Sequence, residues 1–289
     1  MKNLAEFQHP TSVEEALALL HARPGEARPL AGGTSLVFAA DPKARVLVDL
    51  SRAGLQSITL AADGLHLGAM ATARAVARSR AVAEAGLPGL AEAAAACGSR
   101  LLQNQITVGG NLVGIYWWSD LPPMLVALGA VARLRSTAGA REVSVEDLVA
   151  RHPSRLLRPG ELLVEVVVPR PAGGSGNAFL MFGRTAVDYT LCDVAAALEL
   201  DGGVVTAARL AVGGLRPLPA RLRAAEAALV GQKPNAAVFA AAAAAAMAEV
   251  QVAADLRASP EYRREVCAVL VRRALEAAAR RAAQAGTIA

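Results

Sequence analysis

The chain has 289 residues, of which 54% are hydrophobic, so it is long enough for several packed subdomains and is not a disordered polypeptide. Its 30 Lys and Arg residues against 25 Asp and Glu residues give a formal net charge of +5, and the arginines are scattered rather than clustered. Together with an aromatic content of only 3%, this pattern argues against a nucleic-acid-binding protein.

The first 55 residues predict a small βαββ unit that forms one subdomain. Thr11 and Ser12 precede Val13-Glu14-Glu15, which is typical of a helix start with a hydroxyl cap and acidic residues in the first turn. We expect this helix to end near Leu20 or His21. The branched apolar run at 45–50 predicts a buried strand.

Residues 56–170 alternate between strand and helix patterns and form a second predicted subdomain. Asp63-Gly64 predicts a hairpin because this dipeptide tolerates a positive φ, and Thr72 is a candidate helix cap. The predicted elements are strands at 58–60 and 65–67, helices at 72–79 and 89–97, and strands at 131–135 and 161–169.

A third region is predicted at 177–285. We interpret the glycine- and proline-rich residues 171–176 as a flexible linker before it. The predicted elements are strands at 178–184, 192–200 and 204–213, then helices at 219–230, 236–253 and 260–283. In the last helix, one apolar face is expected to contain Tyr262, Val266, Val269 and Leu270.

The cysteine content and the hydropathy indicate the setting of the protein. Cys97, Cys192 and Cys267 form no CxxC or Cys/His cluster, so no metal or iron–sulfur site is expected in this chain. An odd number of thiols and no signal-peptide pattern predict a cytoplasmic location. The Ala-rich run at 236–248 is too short to cross a bilayer, so no membrane span is expected.

Two glycine pairs carry most of the functional information. They lie in Ala31-Gly32-Gly33-Thr34-Ser35-Leu36 and in Thr107-Val108-Gly109-Gly110-Asn111, and the second is followed by Ser119-Asp120-Leu121-Pro122-Pro123. Such turns suit a ligand that approaches backbone N–H groups too closely to allow a β-carbon, and a diphosphate is such a ligand. No hydrolase triad, HExxH or paired carboxylate motif is present, so no catalytic residue is predicted and a cofactor would perform the chemistry.

These motifs, with the strand sequence at 160–169, resemble those of the FAD-binding medium subunits of molybdenum hydroxylases. That family includes the flavoprotein subunits of aerobic carbon monoxide dehydrogenase and of bacterial xanthine dehydrogenase. The resemblance covers essentially the whole chain and implies an α+β fold. This fold has a two-part FAD-binding domain of the vanillyl-alcohol-oxidase/PCMH type, followed by a three-stranded antiparallel sheet with a three-helix cluster.

The resemblance also implies the cofactor and its contacts. FAD would bind noncovalently, with the two glycine turns enclosing its diphosphate and ribityl chain. The cofactor-binding residues implied in this way are Leu30, Ala31, Gly32, Gly33, Thr34, Ser35, Leu36, Thr107, Val108, Gly109, Gly110, Asn111, Asp120, Leu163 and Tyr189. Asp120 could also cap the following helix, with or without a cofactor contact, Leu163 could be an ordinary core residue, and Tyr189 could serve only in packing.

Two features depart from the family pattern. Relatives commonly have a lysine two to four residues before Arg184, where this chain has Leu180, Met181 and Phe182. The segment Ile115-Tyr116-Trp117-Trp118 is bulkier than expected before Asp120. The two indoles could shield a flavin, contact a neighbouring subunit or form a local hydrophobic plug.

The resemblance implies an electron-transfer subunit. Electrons would come from a molybdenum cofactor on a large subunit through [2Fe-2S] centres on a small subunit and leave to an external acceptor, in a dimer of heterotrimers. A stand-alone FAD-dependent oxidoreductase is the alternative, although no acid or base for it is evident. A scaffold that has lost FAD is a third possibility, which the retained glycines disfavour.

Overall fold

The computed structural model describes residues 3–36, 38, 41–215, 219–252 and 254–288. Within these residues the strands form three sheets, which follow one another along the chain. The fold is mixed α and β, as the sequence predicts.

The first sheet confirms the predicted βαββ unit. Its strands are parallel, in the order β1-β3-β2. The elements are β1 (Glu6–Gln8), α1 (Val13–Ala22), β2 (Ala27–Leu30) and β3 (Val46–Asp49). Helix α1 begins as expected, because the Ser12 hydroxyl accepts a hydrogen bond from the Glu15 N–H at 3.1 Å.

The second sheet is antiparallel, and its central strand is the apolar run that precedes the linker. Its strands are β4 (Ile58–Leu60), β5 (Gly64–Gly68), β6 (Val131–Ser136), β7 (Gly139–Ser144) and β8 (Leu162–Pro169), in the order β4-β5-β8-β6-β7. The predicted hairpin is present, since Ile58 pairs with Leu67. Strand β8 is buried on both faces, which explains its continuous apolar sequence.

Short helices connect and cover this second sheet. They are α2 (Ala73–Ala77), α3 (Arg80–Glu84), α4 (Pro88–Ala96), α5 (Arg100–Gln103), α6 (Val108–Val113), α7 (Leu121–Ala127) and α8 (Val145–Val149). Thr72 caps α2 as predicted, but the helix ends at Ala77 rather than at Ser79. The Ser79 hydroxyl accepts from the Val82 N–H at 3.4 Å and begins α3 instead.

The third sheet contains the three predicted antiparallel strands and one short additional edge strand. They are β9 (Ser175–Phe182), β10 (Cys192–Asp201), β11 (Val204–Gly213) and β12 (Ala220–Arg221), in the order β12-β11-β10-β9. The helices are α9 (Arg223–Ala227), α10 (Ala236–Glu249) and α11 (Pro260–Ile288). Helix α9 is shorter than predicted because Ala220 and Arg221 pair with β11. The predicted end of α10, Ala253, lies outside the described residues.

Two other expectations for this region are wrong. Ser175 and Gly176 belong to β9 rather than to a linker, and Gly176 lies so close to α11 that a β-carbon there would be 2.1 Å from the Ala278 carbonyl oxygen. The buried face of α11 contains Leu270 as predicted, with Val266 packed partly against the same core, but it also contains Arg263, Cys267 and Val271. The prediction is wrong for Tyr262, which is 45% exposed.

The third sheet lies between two layers of helices. One face packs on α10 and α11 in a core of its own. Phe179, Ala195 and Ala211, on the opposite face, join the core that includes Leu121 and Met124 of α7. Helix α7, which follows the second glycine motif, is therefore held between the second and third sheets.

Candidate functional site

The structure brings the two glycine turns into contact. A β-carbon on Gly32 would lie 1.5 Å from the Gln105 carbonyl oxygen, so only glycine allows the first turn to approach the chain before the second turn. A β-carbon on Gly110 would lie 3.7 Å from the β-carbon of Ala31. Two segments about 75 residues apart in sequence thus form one surface, as the paired motifs predict.

The first turn offers free hydrogen-bond donors. It follows the end of β2 at Leu30, and Gly33 has a φ of 74°, which a residue with a β-carbon rarely adopts. Within the described part of the chain, the N–H groups of residues 32–35 donate to no protein acceptor. Consecutive free N–H groups in a turn of small residues form a concave anion-binding surface. Leu36 continues this turn and is half-buried.

The second glycine motif is different, because Gly109 and Gly110 lie in the first turn of helix α6 rather than in a loop, and the expectation of free N–H groups is wrong here. The Val108 and Gly109 N–H groups donate to the carbonyl oxygens of Ala71 and Ala69 at 2.9 and 2.8 Å. The Gly110 N–H donates to the Thr107 hydroxyl at 3.0 Å, because Thr107 caps α6. This turn therefore serves as a wall of the site, and its glycines allow close packing: a β-carbon on Gly109 would be 2.9 Å from that of Ala69.

Two side chains in and after this motif in the sequence, Asn111 and Asp120, carry unused acceptors. The Asn111 Oδ1 and the Asp120 Oδ1 atoms are buried and have no hydrogen-bond partner among the described residues. A buried acceptor without a donor is costly, so such atoms point to a ligand with hydroxyl or N–H groups. Asp120 occupies the N-cap position of α7, as the capping alternative predicts, but its side chain makes no capping hydrogen bond.

Asp120 has an unusual environment for a carboxyl group. Burial raises its pKa to about 7, and a hydrogen bond from the Cys97 thiol only partly opposes this rise. The first turn of α7 supplies few donors because Pro122 and Pro123 have no N–H. Sequence reasoning missed Cys97, which ends α4 and is buried next to Asp120.

The remaining predicted residues fall into two groups. Leu163 and Val108 are core residues that support the second turn, and the Leu163 side chain would lie 3.2 Å from a β-carbon on Gly109. Tyr189 lies on the surface after β9 and is 57% exposed. Its ring centroid is 4.6 Å from that of Trp118, which joins it to the segment before Asp120.

That segment forms an aromatic turn of residues 116–119. The Tyr116 N–H donates to the Ser119 hydroxyl at 3.1 Å, and the Ser119 N–H returns a bond to the Tyr116 carbonyl oxygen at 2.9 Å. The Tyr116 and Trp118 rings are stacked with centroids 4.8 Å apart, while the Arg257 guanidinium lies 4.5 Å from the Trp117 ring centroid. The aromatic turn therefore bridges the second subdomain and the C-terminal region.

A second carboxyl group near Asp120 was also missed. Asp193 of β10 is completely buried, and neither of its oxygens has a hydrogen-bond partner in the described structure. The available signal is a charged residue inside the apolar strand sequence Cys192-Asp193-Val194-Ala195. A charged residue in a buried strand is unusual, but the sequence does not show what surrounds its side chain, so Asp193 was not assigned to a site.

These observations fit a ligand with a diphosphate and several hydroxyl groups. The free N–H groups of the first turn suit the phosphates, and the Asn111 and Asp120 oxygens suit hydroxyl donors. Among the residues that the structure describes, no cluster of three His, Cys, Asp or Glu side chains could hold a metal ion. No helix in the described ranges is both long and apolar enough to cross a membrane.

Family comparisons agree with this site. Residues 3–171 match the model of the FAD binding domain in molybdopterin dehydrogenase. Residues 177–278 match the model of the CO dehydrogenase flavoprotein C-terminal domain. The site described above lies within the first match, apart from Tyr189 and Asp193.

Individual relatives extend over nearly the entire chain. The chain is 34% identical to subunit alpha of the 6-hydroxypseudooxynicotine dehydrogenase complex of Paenarthrobacter nicotinovorans, over 94% of this chain and 93% of that protein. It is 32% identical to the carbon monoxide dehydrogenase medium chain of Afipia carboxidovorans, over 96% and 97%. The crystal structure of the Cu,Mo-CO dehydrogenase superposes with a TM-score of 0.89 at 31% identity, covering 96% of this chain and 98% of that one.

The resemblance inferred from the glycine motifs is thus confirmed, and so are the fold and the cofactor class. The relatives are subunits of oxidoreductases, and molybdenum and iron–sulfur groups belong to other subunits of such complexes. The chain belongs to the family of FAD-binding medium subunits of molybdenum hydroxylases.

Proposed function

We propose that this chain holds FAD noncovalently between its two glycine turns and passes electrons from an iron–sulfur partner to an external acceptor. Bound FAD supplies the chemistry of exchanging single electrons with an iron–sulfur centre and electron pairs with an acceptor. The observation that carries the proposal is the row of free N–H groups at residues 32–35, which faces the wall built on Gly109 and Gly110. The protein's own task is to bind and orient the cofactor.

The site residues have distinct tasks in this proposal. The N–H groups of residues 32–35, helped by the hydroxyls of Thr34 and Ser35, bind the diphosphate. Asn111 and Asp120 accept hydrogen bonds from cofactor hydroxyls through their free oxygens. Residues Leu30, Ala31, Leu36, Thr107, Val108 and Leu163 shape the cavity by packing.

The aromatic turn and Tyr189 form the part of the proposed site nearest to solvent. Tyr116 and Tyr189 are 38% and 57% exposed, although both rings contact that of Trp118, the first stacked on it and the second tilted against it. Exposed aromatic rings held in place by stacking are characteristic of surfaces that another molecule covers. We infer that this stack borders the flavin ring and the partner that delivers electrons.

The proposed assembly contains a [2Fe-2S] small subunit and a large subunit with the molybdenum cofactor, arranged as a dimer of heterotrimers. A cytoplasmic location is part of the proposal, because all three cysteines are buried free thiols. The oxidised substrate would be selected by the large subunit and not by this chain.

The test is substitution of Gly32 in the full-length chain. Gly32→Ala should abolish FAD retention after gel filtration, because its β-carbon would overlap the Gln105 carbonyl oxygen and force the two turns apart. The matched control is Gly173→Ala, where no atom lies within 4 Å of a β-carbon, and it should keep the FAD content of the unmodified chain. In the assembled complex, Gly32→Ala should also stop reduction of the external acceptor while the subunits still copurify. Equal FAD content in both variants would contradict the proposed site.

A further inference from the structure

The two buried carboxyl groups lie at one junction between α7 and the C-terminal sheet. Asp193 pairs in register with Met181 on one side and with Gly213 on the other, so the three residues form a row across β9, β10 and β11. A β-carbon on Gly213 would lie 2.7 Å from both Asp193 carboxyl oxygens and 2.8 Å from Pro123 Cγ. The Asp193 carboxyl therefore lies against the first turn of α7, which Asp120 precedes.

The sequence around this junction explains why the carboxyl oxygens lack donors. Pro122 and Pro123 remove two N–H groups from the first turn of α7. Gly213 and Met181 flank Asp193 without a polar side chain. As a result, both Asp193 oxygens and the Asp120 Oδ1 atom are buried without a partner in the described chain.

In the described part of the chain, the other titratable and charged groups at the junction are buried thiols and Arg263, whose guanidinium is engaged by other acceptors. Cys97 of α4 and the Cys192–Cys267 pair of β10 and α11 are fully buried thiols, and burial raises the pKa of Cys97 and of Cys192 well above its usual range. The Arg263 guanidinium donates to the carbonyl oxygens of Leu191 and Gly214 and lies 2.7 Å from Asp255.

Two neighbouring buried carboxyl groups cannot both ionise without a large cost. Burial raises the pKa of Asp193 well above its usual range, the charge of Asp120 raises it further, and the nearby backbone N–H of Gly213 only partly opposes this rise. Asp193 is completely buried with both oxygens unpartnered, whereas Asp120 receives a hydrogen bond from the Cys97 thiol, so we assign the retained proton to Asp193. Asp120, which is 8% exposed and borders the site, is the group able to exchange one.

We propose that Asp120 and Asp193 form a one-proton switch for cofactor binding: Asp193 keeps its proton, and Asp120 releases its own when a cofactor hydroxyl donates to Oδ1. This inference rests on the proposed function, because it requires FAD at the site. A hydrogen bond from a hydroxyl to a carboxylate is stronger than one to a neutral carboxyl group, so binding favours the ionised Asp120. Asp193 acts as a positioning residue. Because its carboxyl group stays neutral, no second negative charge lies next to Asp120 when Asp120 ionises.

The switch predicts a pH dependence of binding with a definite sign. Because Asp120 titrates at about 7 in the free chain, its ionised fraction increases about tenfold between about pH 6 and about pH 8. The Kd for FAD should fall about tenfold over that interval. Near pH 7, binding should release about half a proton per FAD.

The experiment is calorimetric titration of the FAD-free full-length chain with FAD, in two buffers of different ionisation enthalpy and at about pH 6, 7 and 8. Asp120→Asn should bind FAD without proton release and with a nearly constant Kd. Asp193→Asn, which preserves shape and neutrality, should keep the proton release and the tenfold change. Circular dichroism on each variant verifies that it is folded.

Each outcome bears on a separate claim. FAD binding to the unmodified chain with no proton release and a constant Kd would overturn the switch but leave the proposed function intact. Proton release that survives in Asp120→Asn and disappears in Asp193→Asn would show that Asp193, and not Asp120, exchanges the proton. This result would also overturn the proposed switch. No binding of FAD at any pH would contradict the proposed function itself.

Discussion

Asp120 illustrates how a single residue can be kept ready for a ligand at the expense of stability. Its carboxyl is buried next to Cys97, and its Oδ1 atom has no partner among the described residues. A ligand that donates to this atom removes a penalty that the free chain carries. Cofactor binding and folding are therefore expected to be coupled at this residue.

The free chain should show this penalty as a loss of stability at higher pH. The folded-state pKa of Asp120, about 7, lies above the ordinary value of 3.8, so the folded state binds more protons between these values. The free energy of unfolding should fall as pH rises from about 4 to about 7, with Asp120 contributing up to about 4 kcal/mol of the loss. Urea denaturation of the FAD-free chain at about pH 5 and about pH 8 measures this change.

The Asp120→Asn variant is the control for this prediction. It should lose less stability over the same interval than the unmodified chain, because one titrating group has been removed. Equal pH dependence in the two proteins would show that Asp120 is not the group that carries the penalty.

At the residue scale, the sequence predicts the members of the site better than their interactions. Gly32 and Gly110 are recognisable because two short glycine motifs in a fixed order make a far more specific pattern than either motif alone. The sequence does not predict that the Val108 and Gly109 N–H groups are already bonded, because their acceptors are the carbonyl oxygens of the distant residues Ala71 and Ala69. Asp193 was missed because its significance comes from its neighbours in the fold.

At the element scale, the sequence predicts the start of a helix correctly where a single side chain caps it. Ser12 begins α1 and Thr72 begins α2, as their side chains predict. Amino-acid composition gives the wrong secondary structure where tertiary packing determines it. Ser175 and Gly176 resemble a linker but belong to β9, because the long helix α11 lies directly on that strand.

The buried face of α11 also depends on tertiary contacts that the sequence does not show. Arg263 is 2% exposed, although arginine in a helix is normally placed toward solvent. Its guanidinium bonds the Leu191 and Gly214 carbonyl oxygens, which lie at the ends of neighbouring strands. Only the tertiary structure reveals these acceptors, so the sequence does not predict that Arg263 lies on the buried face of the helix.

The contact between β9 and α11 yields a stability prediction. Gly176→Ala should lower the free energy of unfolding by about 1–3 kcal/mol, because the new β-carbon would lie 2.1 Å from the Ala278 carbonyl oxygen and 2.3 Å from the Ala282 nitrogen. Thermal denaturation followed by circular dichroism measures the change. Gly173→Ala, a position open to solvent three residues earlier, should be nearly neutral. Similar melting temperatures for the two variants would mean that α11 does not constrain the strand.

At the scale of the whole molecule, the third sheet is joined to the helices that cover the second sheet by polar contacts as well as by the shared core. The Asn177 side chain accepts from the Gly89 N–H at 2.8 Å and donates to the Gly86 carbonyl oxygen at 2.9 Å. Arg281 of α11 pairs with Glu92 of α4 and donates to the Asn177 carbonyl oxygen at 2.7 Å. These contacts hold α4 against β9.

The overall architecture was predictable because two specific motifs and a strand occur in a family order, and the comparisons confirm the family. The division at residues 55, 170 and 177 stays a prediction. The sequence contains no signal for the network of Asn177, Glu92 and Arg281, since these side chains meet only after both parts have folded.

The aromatic turn gives the protein an optical property of its own. The chain contains two tryptophans, and both lie in this turn, with ring centroids 5.1 Å apart. Oxidised flavin absorbs at the wavelengths where tryptophan emits, so a flavin bound beside Asp120 should quench most of the intrinsic emission by energy transfer. Titration with FAD at a tryptophan-selective excitation wavelength should therefore give a saturating loss of signal, and Gly32→Ala should show none. Unchanged emission in a chain that has demonstrably bound FAD would place the cofactor far from Trp117 and Trp118.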